Sequence, residues 1–252
     1  MFIDTHCHID SSVSGDVYIK NAYSANVKGL IFSFCNQDCY QAGIEFLDKY
    51  PDVFVSLGFH PEDADNITDK DLQCLDEVLV SSSRIVAVGE IGLDYYWRKD
   101  NKEKQRDLFQ KQLDLAVKHQ MPVVIHCRDA IQELYDILSQ YKGKVKGVIH
   151  CFSGSYEMAR AFIELGFVLG IGGVLTFKNS KLYQVVEKIP LSSIVLETDS
   201  PYLTPEPHRG EMNESKYIPL VAEKIAQIKE IPLSEVEKIT TDNAKRVFDL
   251  PI

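Results

Sequence analysis

Histidine and acidic side chains that could bind divalent cations recur along the chain, each close to the end of a short apolar run. The first run ends in a pair one residue apart, and later runs end in single candidates: His6 and His8, His60, Glu90, His126, His150 and Asp199. Imidazole suits zinc, manganese, iron or nickel, whereas carboxylates suit magnesium and manganese. The residue types therefore predict a site for divalent metal ions.

One grouping of these residues would hold two ions. His6, His8, Glu90 and Asp199 could bind one ion, and Glu90, His126 and His150 the other. Glu90 would then bridge the pair, as a carboxylate can when two ions lie about 3.5–4 Å apart. Two bridged ions activate a water molecule and stabilise negative charge on a displaced oxygen, so the chemistry expected here is hydrolysis.

Taken singly, each of these residues has an ordinary structural explanation. Buried histidines often satisfy their hydrogen bonds in a core, and an acidic residue after a strand often caps a helix. Asp199, before Ser200 and Pro201, could simply begin a turn. Their joint occurrence at the ends of apolar runs favours the metal site. His119 is different, because it falls in the last turn of a predicted helix, where a cation suits the helix dipole.

The elements that carry these residues are predicted to be strands. Alternate residues of a strand share a face, so His6 and His8 can converge while Cys7 points away. We predict eight strands: Phe2 to His6, Val27 to Phe34, Val53 to Gly58, Ile85 to Gly89, Pro122 to His126, Val145 to His150, Phe167 to Ile171 and Ile194 to Glu197. Near-continuous apolar strands alternating with helices indicate a parallel sheet that is covered on both faces.

Helical patterns lie between these runs and after the last one. They are clearest at Lys102 to His119, Ala130 to Tyr141, Tyr156 to Leu165 and Leu182 to Ile189, with two more predicted at Glu214 to Lys229 and Ser234 to Phe248. Eight βα units of this length predict an α/β fold, a single (β/α)8 TIM-type barrel with an additional C-terminal helix against its outside or bottom. An open doubly wound sheet is the competing architecture. No linker divides the chain, so residues 1–252 are expected to form one domain.

Composition narrows the class of protein. The formal charge of −10 argues against binding nucleic acid through a broad basic surface, although it allows a small site made positive by metal ions. The six cysteines form no CxxC pair and are expected to be reduced and buried, with Cys7, Cys127 and Cys151 facing the helices. Neither a leader peptide nor a membrane span is indicated, so a cytoplasmic protein is expected.

Two further features near the predicted site could meet a substrate. Arg128 follows His126 by two residues, so its side chain would face the mouth of the barrel on the same side as His126. It could bind an anion there, or it could instead form an ion pair with Asp129. Tyr95, Tyr96 and Trp97 follow Glu90 and could stack on bases or rings, or could form a packing lid.

Several motifs together resemble the TatD family of metal-dependent hydrolases, within the wider amidohydrolase-like barrels. They run in order through nearly the whole chain: Ile3-Asp4-Thr5-His6-Cys7-His8, Gly58-Phe59-His60-Pro61, Gly89-Glu90-Ile91-Gly92-Leu93-Asp94-Tyr95, His126-Cys127-Arg128-Asp129-Ala130, His150-Cys151-Phe152-Ser153-Gly154 and Glu197-Thr198-Asp199-Ser200-Pro201-Tyr202-Leu203. Where related amidohydrolases bridge their metals with a modified lysine, this chain offers Glu90. It departs from the family pattern at Asn213-Glu214-Ser215, where Asn-Glu-Pro is frequent.

The resemblance implies a barrel whose metal ligands are His6, His8, Glu90, His126, His150 and Asp199. It also implies a deoxyribonuclease that uses divalent ions such as Mg, Mn or Zn and often degrades single-stranded DNA from the 3′ end. Asp199 and Glu90 would be the catalytic residues, and Asp199 would help to deprotonate the nucleophile. His60 and Arg128 would neutralise the phosphate, while His208 and Arg209 are candidate substrate contacts.

Two other functions use the same residues. The site could hydrolyse a carboxylic ester or amide, such as an aminoacyl-tRNA ester, because fold does not determine substrate. Alternatively, the metals could stabilise a non-catalytic scaffold, although this would leave several costly polar residues without a role. DNA is the expected partner, no membrane or obligate protein partner is indicated, and the chain is compatible with a monomer.

Overall fold

The structure is a computed structural model that describes residues 1–9, 12–35 and 37–252, with the side chains of residues 37–39 excepted. Asp10 and the side chain of Cys39 therefore lie outside the described part. The described strands are β1 (Phe2–Cys7), β2 (Val27–Phe34), β3 (Val53–Leu57), β4 (Ile85–Asp94), β5 (Val123–Arg128), β6 (Gly147–Ile149), β7 (Phe167–Ile171) and β8 (Ile194–Leu196).

These eight strands form one parallel sheet in which each strand pairs with the next in sequence, from β1 to β8. The sheet curves until β8 lies beside β1, which makes a nearly closed barrel with helices outside it. The prediction of a (β/α)8 barrel is confirmed, and the competing architecture, an open doubly wound sheet, is not the one observed. The strand ends lie within two residues of the predicted ones, except that β4 continues five residues beyond the predicted end at Gly89.

Hydrogen bonds close the seam between β1 and β8. The hydroxyl of Thr5 donates to the carbonyl oxygen of Leu196 at 3.1 Å, and the amide of Asp199 donates to the carbonyl oxygen of His6 at 3.0 Å. Asp4 is fully buried, and its carboxylate accepts from the amide and hydroxyl of Thr198 and from the hydroxyl of Ser215 at 2.6–3.0 Å. Ser215, where the chain departs from the family pattern, therefore helps to hold the seam.

The barrel interior is layered along its axis. A lower layer is apolar and consists of inward side chains from every strand: Ile3, Ile31, Phe54, Val86, Ala87, Val124, Val148, Val168 and Val195. Two residues further along the same strands, the inward positions become polar, as at Ser33, Ser56, His126, His150 and Glu197. Because side chains alternate between faces, this step of two keeps the polar residues inside the barrel and moves them to its carboxyl end.

The described helices are α1 (Gly15–Ser24), α2 (Gln37–Lys49), α3 (Asp69–Val78), α4 (Lys102–His119), α5 (Ile131–Gln140), α6 (Tyr156–Leu165), α7 (Leu182–Lys188), α8 (Ile218–Lys229) and α9 (Leu233–Phe248). The predictions for α4 and α6 match to the residue, and those for α5, α7 and α9 to within one residue at each end. The predicted helix over Glu214 to Lys229 begins instead with a 3₁₀ turn at Ser215–Tyr217 and becomes α8 at Ile218. The Nε2 atom of His119 lies 2.6 Å from a carboxylate oxygen of Asp76, which confirms its structural role.

Helix α9 seals the bottom of the barrel, one of the two positions predicted for it. Its side chains Ala244, Val247 and Phe248 pack on the apolar lower layer. The interior is therefore closed at the amino ends of the strands and open only at their carboxyl ends, where the polar layer lies.

Cys7, Cys74, Cys127 and Cys151 form no disulfide, as predicted, but only Cys7 among them is fully buried. Cys127 and Cys151 are partly exposed and line the cleft described below, which differs from the prediction that both would be buried. Within the described residues, no helix is both long enough and apolar enough to cross a membrane.

Candidate metal centre

A cleft of about 1020 Å³ opens at the carboxyl end of the barrel. Its floor carries five of the predicted site residues, His8, Glu90, His126, His150 and Asp199, with His60 and Arg128 on its sides. His6 lies just below the floor, with 1% of its surface exposed. The structure thus brings together all of the predicted metal ligands, which are spread over almost 200 positions of the sequence.

Glu90 lies at the centre of this cluster, and its two carboxylate oxygens face different histidines. Oε2 is 3.4 Å from His6 Nε2 and 3.5 Å from His8 Nε2. Oε1 is 2.7 Å from both His126 Nδ1 and His150 Nε2. The side chain of Glu90 is itself only 5% exposed. We call His6, His8 and Asp199 the first set, and His126 and His150 the second set.

The first set and Glu90 Oε2 form a compact group of donor atoms. His6 Nε2 and His8 Nε2 are 3.1 Å apart, and they lie 3.5 and 3.9 Å from Asp199 Oδ1. Four ligands arranged tetrahedrally at about 2.1 Å from a zinc-sized ion lie roughly 3.4 Å from one another. The observed spacings, 3.1–3.9 Å, therefore fit a single divalent cation.

The hydrogen bond of His8 directs a lone pair into this group. His8 Nδ1 lies 3.0 Å from the carbonyl oxygen of Ser33. A carbonyl oxygen can only accept, so Nδ1 must carry the proton, and Nε2 of the neutral ring presents a lone pair. That lone pair and the carboxylate oxygens of Glu90 and Asp199 converge. Converging acceptors need a cation between them, which is what a metal ion supplies.

His126 in the second set is oriented in the same way, by Asp94. His126 Nε2 lies 2.9 Å from Asp94 Oδ2, so Nε2 carries the proton and Nδ1 faces Glu90 Oε1. A carboxylate that fixes the tautomer of a histidine is the usual outer partner of a metal ligand. Asp94 has only 1% of its side chain exposed, which holds this arrangement rigidly.

A carboxyl group lies behind His150 as well, although at a greater distance. Glu197 is fully buried, accepts a hydrogen bond from the amide of Cys151, and lies 3.9 Å from His150 Nδ1. Glycine is required opposite it, because a Cβ atom at Gly170 would come within 2.0 Å of Glu197 Oε2. Burial raises the pKa of Glu197 to about 8.

The charged states of the central groups depend on one another. Burial acts to raise the pKa of Glu90, but His150, His6 and His126 outweigh it and hold the pKa well below the ordinary value. Burial acts to lower the pKa of His126, yet hydrogen bonds to Asp94 and Glu90 raise it to about 9. Without a metal ion, the cluster therefore keeps Glu90 ionised by holding a proton on a neighbouring imidazole; a divalent cation could replace that proton.

His60 lies beside the second set, with Nε2 3.7 Å from Glu90 Oε1. Its Nδ1 accepts a hydrogen bond from the amide of Glu62, so the proton of the neutral ring is on Nε2, directed into the cleft. Burial lowers the pKa of His60 to about 4, which makes the ring neutral at pH 7. His60 can therefore donate a hydrogen bond to an oxygen in the cleft, but it does not contribute the positive charge expected of it from the sequence.

Arg128 does return to the mouth of the cleft, as predicted. Its guanidinium carbon lies 3.7 Å from the centre of the Tyr96 ring and 5.4 Å from that of Trp97. Among the described residues, Arg128 forms no ion pair with Asp129 or any other carboxylate. Its charge is thus held by aromatic rings and remains available to an anion.

His208 and Arg209, by contrast, are held within the loop after β8. His208 stacks on Tyr217 with ring centres 4.6 Å apart, and its Nδ1 lies 3.1 Å from a carboxylate oxygen of Glu211. Arg209 donates to the carbonyl oxygen of Thr204 and covers the ring of Phe177. Neither side chain lies among the described residues that line the cleft.

Sequence reasoning gave no role to two residues that orient the candidate ligands, Ser33 and Asp94, nor to the thiol of Cys35. Cys35 lies at the end of β2, 3.9 Å from Glu90 Oε2 and close to His8. The signal for Asp94 was present: it follows Glu90 by four residues, so the two share a face if β4 continues. The β4 extension depends on Gly92, at φ +148, because a Cβ atom there would lie 2.0 Å from the carbonyl oxygen of His126.

Comparison with known proteins gives a consistent result. A family model described as TatD-related DNase matches residues 3–249. The uncharacterized metal-dependent hydrolase YabD of Bacillus subtilis is 38% identical over 98% of this chain and 99% of its own length. The uncharacterized metal-dependent hydrolase TatD of Mycobacterium tuberculosis is 32% identical over 98% of each chain. The crystal structure of YjjV, a TatD homologue from Escherichia coli, matches with a TM-score of 0.93 at 31% identity, over 99% of this chain and 98% of that one.

Proposed function

This chain belongs to the family of TatD-related DNases, and we propose that it is a deoxyribonuclease that hydrolyses phosphodiester bonds with two divalent metal ions. In this proposal, the preferred substrate is single-stranded DNA, which the enzyme shortens from its 3′ end. The family and its metal-dependent relatives establish the broader class, a metal-dependent hydrolase. The polarity of degradation and the preference for single strands rest on the family resemblance.

The observation that carries the proposal is the position of Glu90. One of its oxygens faces His6 and His8, and the other faces His126 and His150. A carboxylate buried between two groups of nitrogen donors is the arrangement that a bridging ligand needs. The first set and Glu90 would hold one ion, and the second set and Glu90 would hold the other.

Bound divalent ions would supply Lewis acidity, which activates water and neutralises charge on the phosphate oxygens. Asp199 would receive the proton that the attacking water loses. Burial acts to raise the pKa of Asp199, but His6 and His150 outweigh this effect and keep it below its ordinary value. Asp199 is therefore ionised at neutral pH and able to accept a proton, and its side chain, 19% exposed, reaches the cleft.

His60 and Arg128 would position the phosphate. The Nε2 proton of His60 points into the cleft and can donate to a non-bridging oxygen, while Arg128 adds a positive charge at the mouth. As water attacks phosphorus, a new P–O bond forms and the bridging P–O bond breaks. The departing oxygen then takes up a proton from solvent.

The test is a time course with chelator-stripped protein and a 5′-labelled single-stranded oligonucleotide, to which Mg, Mn or Zn is restored. The proposal expects a metal-dependent ladder that shortens from the 3′ end. Asp199→Asn and Glu90→Gln should each lose at least about 100-fold in rate, since even outer-shell changes cost 10–100-fold. Glu62→Gln, at an exposed acid that lines the same cleft, is the matched control and should retain activity.

Two results would contradict the proposal. Wild-type rates in Asp199→Asn or Glu90→Gln would remove the mechanism. Absence of cleavage with every metal, from protein that circular dichroism shows to be folded, would exclude DNA hydrolysis and direct attention to carboxylic esters and amides.

A further inference from the structure

Two consecutive aromatic side chains, in the segment that follows β4, are exposed beside the cleft. Tyr96 is 50% exposed and Trp97 is 63% exposed, whereas their neighbour Tyr95 is buried at 3%. The Tyr96 and Trp97 rings meet edge to face with centres 4.8 Å apart, and Trp97 lines the cleft. A packing lid would bury these rings, so their exposure favours contact with a ligand.

The segment that carries the two rings is fixed to the candidate metal centre. Asp94 Oδ1 accepts hydrogen bonds from the amide of Tyr96 at 2.9 Å and from that of Trp97 at 3.3 Å. The other oxygen of the same carboxylate lies 2.9 Å from His126 Nε2. One buried side chain therefore sets the position of the rings relative to His126, and a group stacked on them would have a defined place beside the cluster.

Arg128 completes this surface on one side. Its guanidinium covers the Tyr96 ring at 3.7 Å, within the range in which a cation is attracted to an aromatic face. Its distance to the Trp97 ring centre is longer, 5.4 Å, and Trp97 is the more exposed of the two rings. A positive charge next to an open indole is suited to a ligand that combines a phosphate with a planar ring.

We propose that Trp97, supported by Tyr96 and Arg128, forms a stacking subsite for one unpaired nucleobase of the strand whose phosphate lies at the metal centre. This inference rests on the proposed nuclease function and deepens it. Stacking on an aromatic side chain does not distinguish the four bases, because each has a π-face. It does require a base that has left the duplex. The subsite therefore selects single strands and frayed ends without selecting sequence.

Trp97 is the only tryptophan of the chain, so intrinsic tryptophan fluorescence reports on this subsite directly. The metal-loaded protein is titrated with a cleavage-resistant phosphorothioate oligothymidylate, labelled at its 5′ end. A matched oligonucleotide carries abasic residues in place of the bases. The base-bearing strand should quench the emission of Trp97 at saturation, and the abasic strand should leave it largely unchanged.

Affinities from the anisotropy of the label test the role of the ring. Trp97→Ala should weaken binding of the base-bearing strand about 5- to 150-fold, the range that loss of one stacked base gives. Binding of the abasic strand should change less than twofold. Tyr183→Ala removes an aromatic ring of similar exposure, 46%, on α7 away from the cleft, and should alter neither affinity.

Failure of this inference is distinguishable from failure of the nuclease function. The first case is a protein that cleaves DNA but shows no quenching, and in which Trp97→Ala weakens the binding of both strands equally or not at all. This result refutes the stacking subsite and leaves the nuclease function standing. If base-dependent quenching occurs without cleavage by any metal, the subsite stands and the nuclease function is refuted. The absence of both quenching and cleavage refutes the two proposals together.

Discussion

Replacing Asp94 with asparagine should weaken the second set of donors without changing its shape. In the wild-type protein, Asp94 Oδ2 only accepts, so it keeps a proton on His126 Nε2 and leaves Nδ1 as the nitrogen that can exchange its proton for a metal ion. The oxygen of an asparagine can still accept from the amides of Tyr96 and Trp97. Its NH2 group would then face His126 Nε2 as a donor.

That exchange reverses the tautomer of His126. With a donor facing it, Nε2 becomes the acceptor and the proton moves to Nδ1, which lies 2.7 Å from Glu90 Oε1 and would donate to it. A protonated Nδ1 cannot ligate a metal ion. Changes to outer-shell partners of this kind cost 10–100-fold in metal affinity or activity, which corresponds to about 1.4–2.8 kcal/mol.

Calorimetric titration of chelator-stripped protein with Zn²⁺ measures this loss. Asp94→Asn should weaken one binding event by 10–100-fold and leave the other near its wild-type value. Asp129→Asn, an exposed change close in sequence to His126, is the control and should match the wild type. Wild-type affinity for every bound ion in Asp94→Asn, with the fold intact by circular dichroism, would refute the orienting role of Asp94.

Three further predictions concern His60, the metal ions and α9. Burial lowers the pKa of His60 from 6.5 to about 4, so between these values the unfolded state binds more protons and the folded state loses stability as pH falls. In metal-free protein, His60→Gln should reduce the unfolding free energy that is lost between pH 6.5 and about pH 4 by up to about 3 kcal/mol, as measured by urea unfolding. The same pH dependence of the unfolding free energy in the variant and the wild type would contradict the assignment. Chelation of the metal ions should abolish hydrolysis but leave the protein folded. Each ion that is restored at 100 times its Kd should raise the unfolding free energy by about 2.7 kcal/mol. Unfolding of the protein on chelation would contradict this prediction. Phe248→Ala should cost about 3–5 kcal/mol of unfolding free energy with little change in turnover, whereas exposed Asp242→Ala should cost much less.

The barrel was predictable because its strands are buried on both faces. Runs such as Val53 to Gly58 are almost wholly apolar, and polar residues appear only where a strand reaches the carboxyl end of the barrel. The long helix α4 was predictable because its pattern continues for five turns. Helices α1, α2 and α3 were not located, since they are short or carry few apolar residues. The capping box of Thr68 and Asp71, which begins α3, was a local signal that went unused.

The candidate site was predictable as a set of residues but not as a network. The strand ends revealed Glu90, His126 and Asp199, because the carboxyl ends of barrel strands meet at one face. Which oxygen of Glu90 faces which histidine depends on side-chain placement in three dimensions. The role of Asp94 depends on β4 continuing past Gly89, and the close approach of Gly92 to His126 becomes visible only once β4 and β5 are paired.

The substrate contacts were the least predictable part. Arg128 faces the cleft because it follows His126 by two residues, and alternation within β5 was enough to predict this. His208 and Arg209 belong to a loop whose internal contacts with Glu211 and Phe177 hold them elsewhere, and no periodic pattern governs such a loop. The exposure of Trp97 likewise depends on the hydrogen bonds that its backbone makes to Asp94.

The most direct test of the bridging role of Glu90 is to follow nuclease rate against metal bound per chain. Chelator-stripped protein receives Mn²⁺ or Zn²⁺ in steps, and each sample is assayed for bound metal by mass spectrometry and for cleavage of a labelled single strand. We expect the rate to rise as the content approaches two ions per chain, and Glu90→Gln to show neither the second ion nor the rate. Full activity at one ion per chain, or two bound ions without cleavage, would contradict the account.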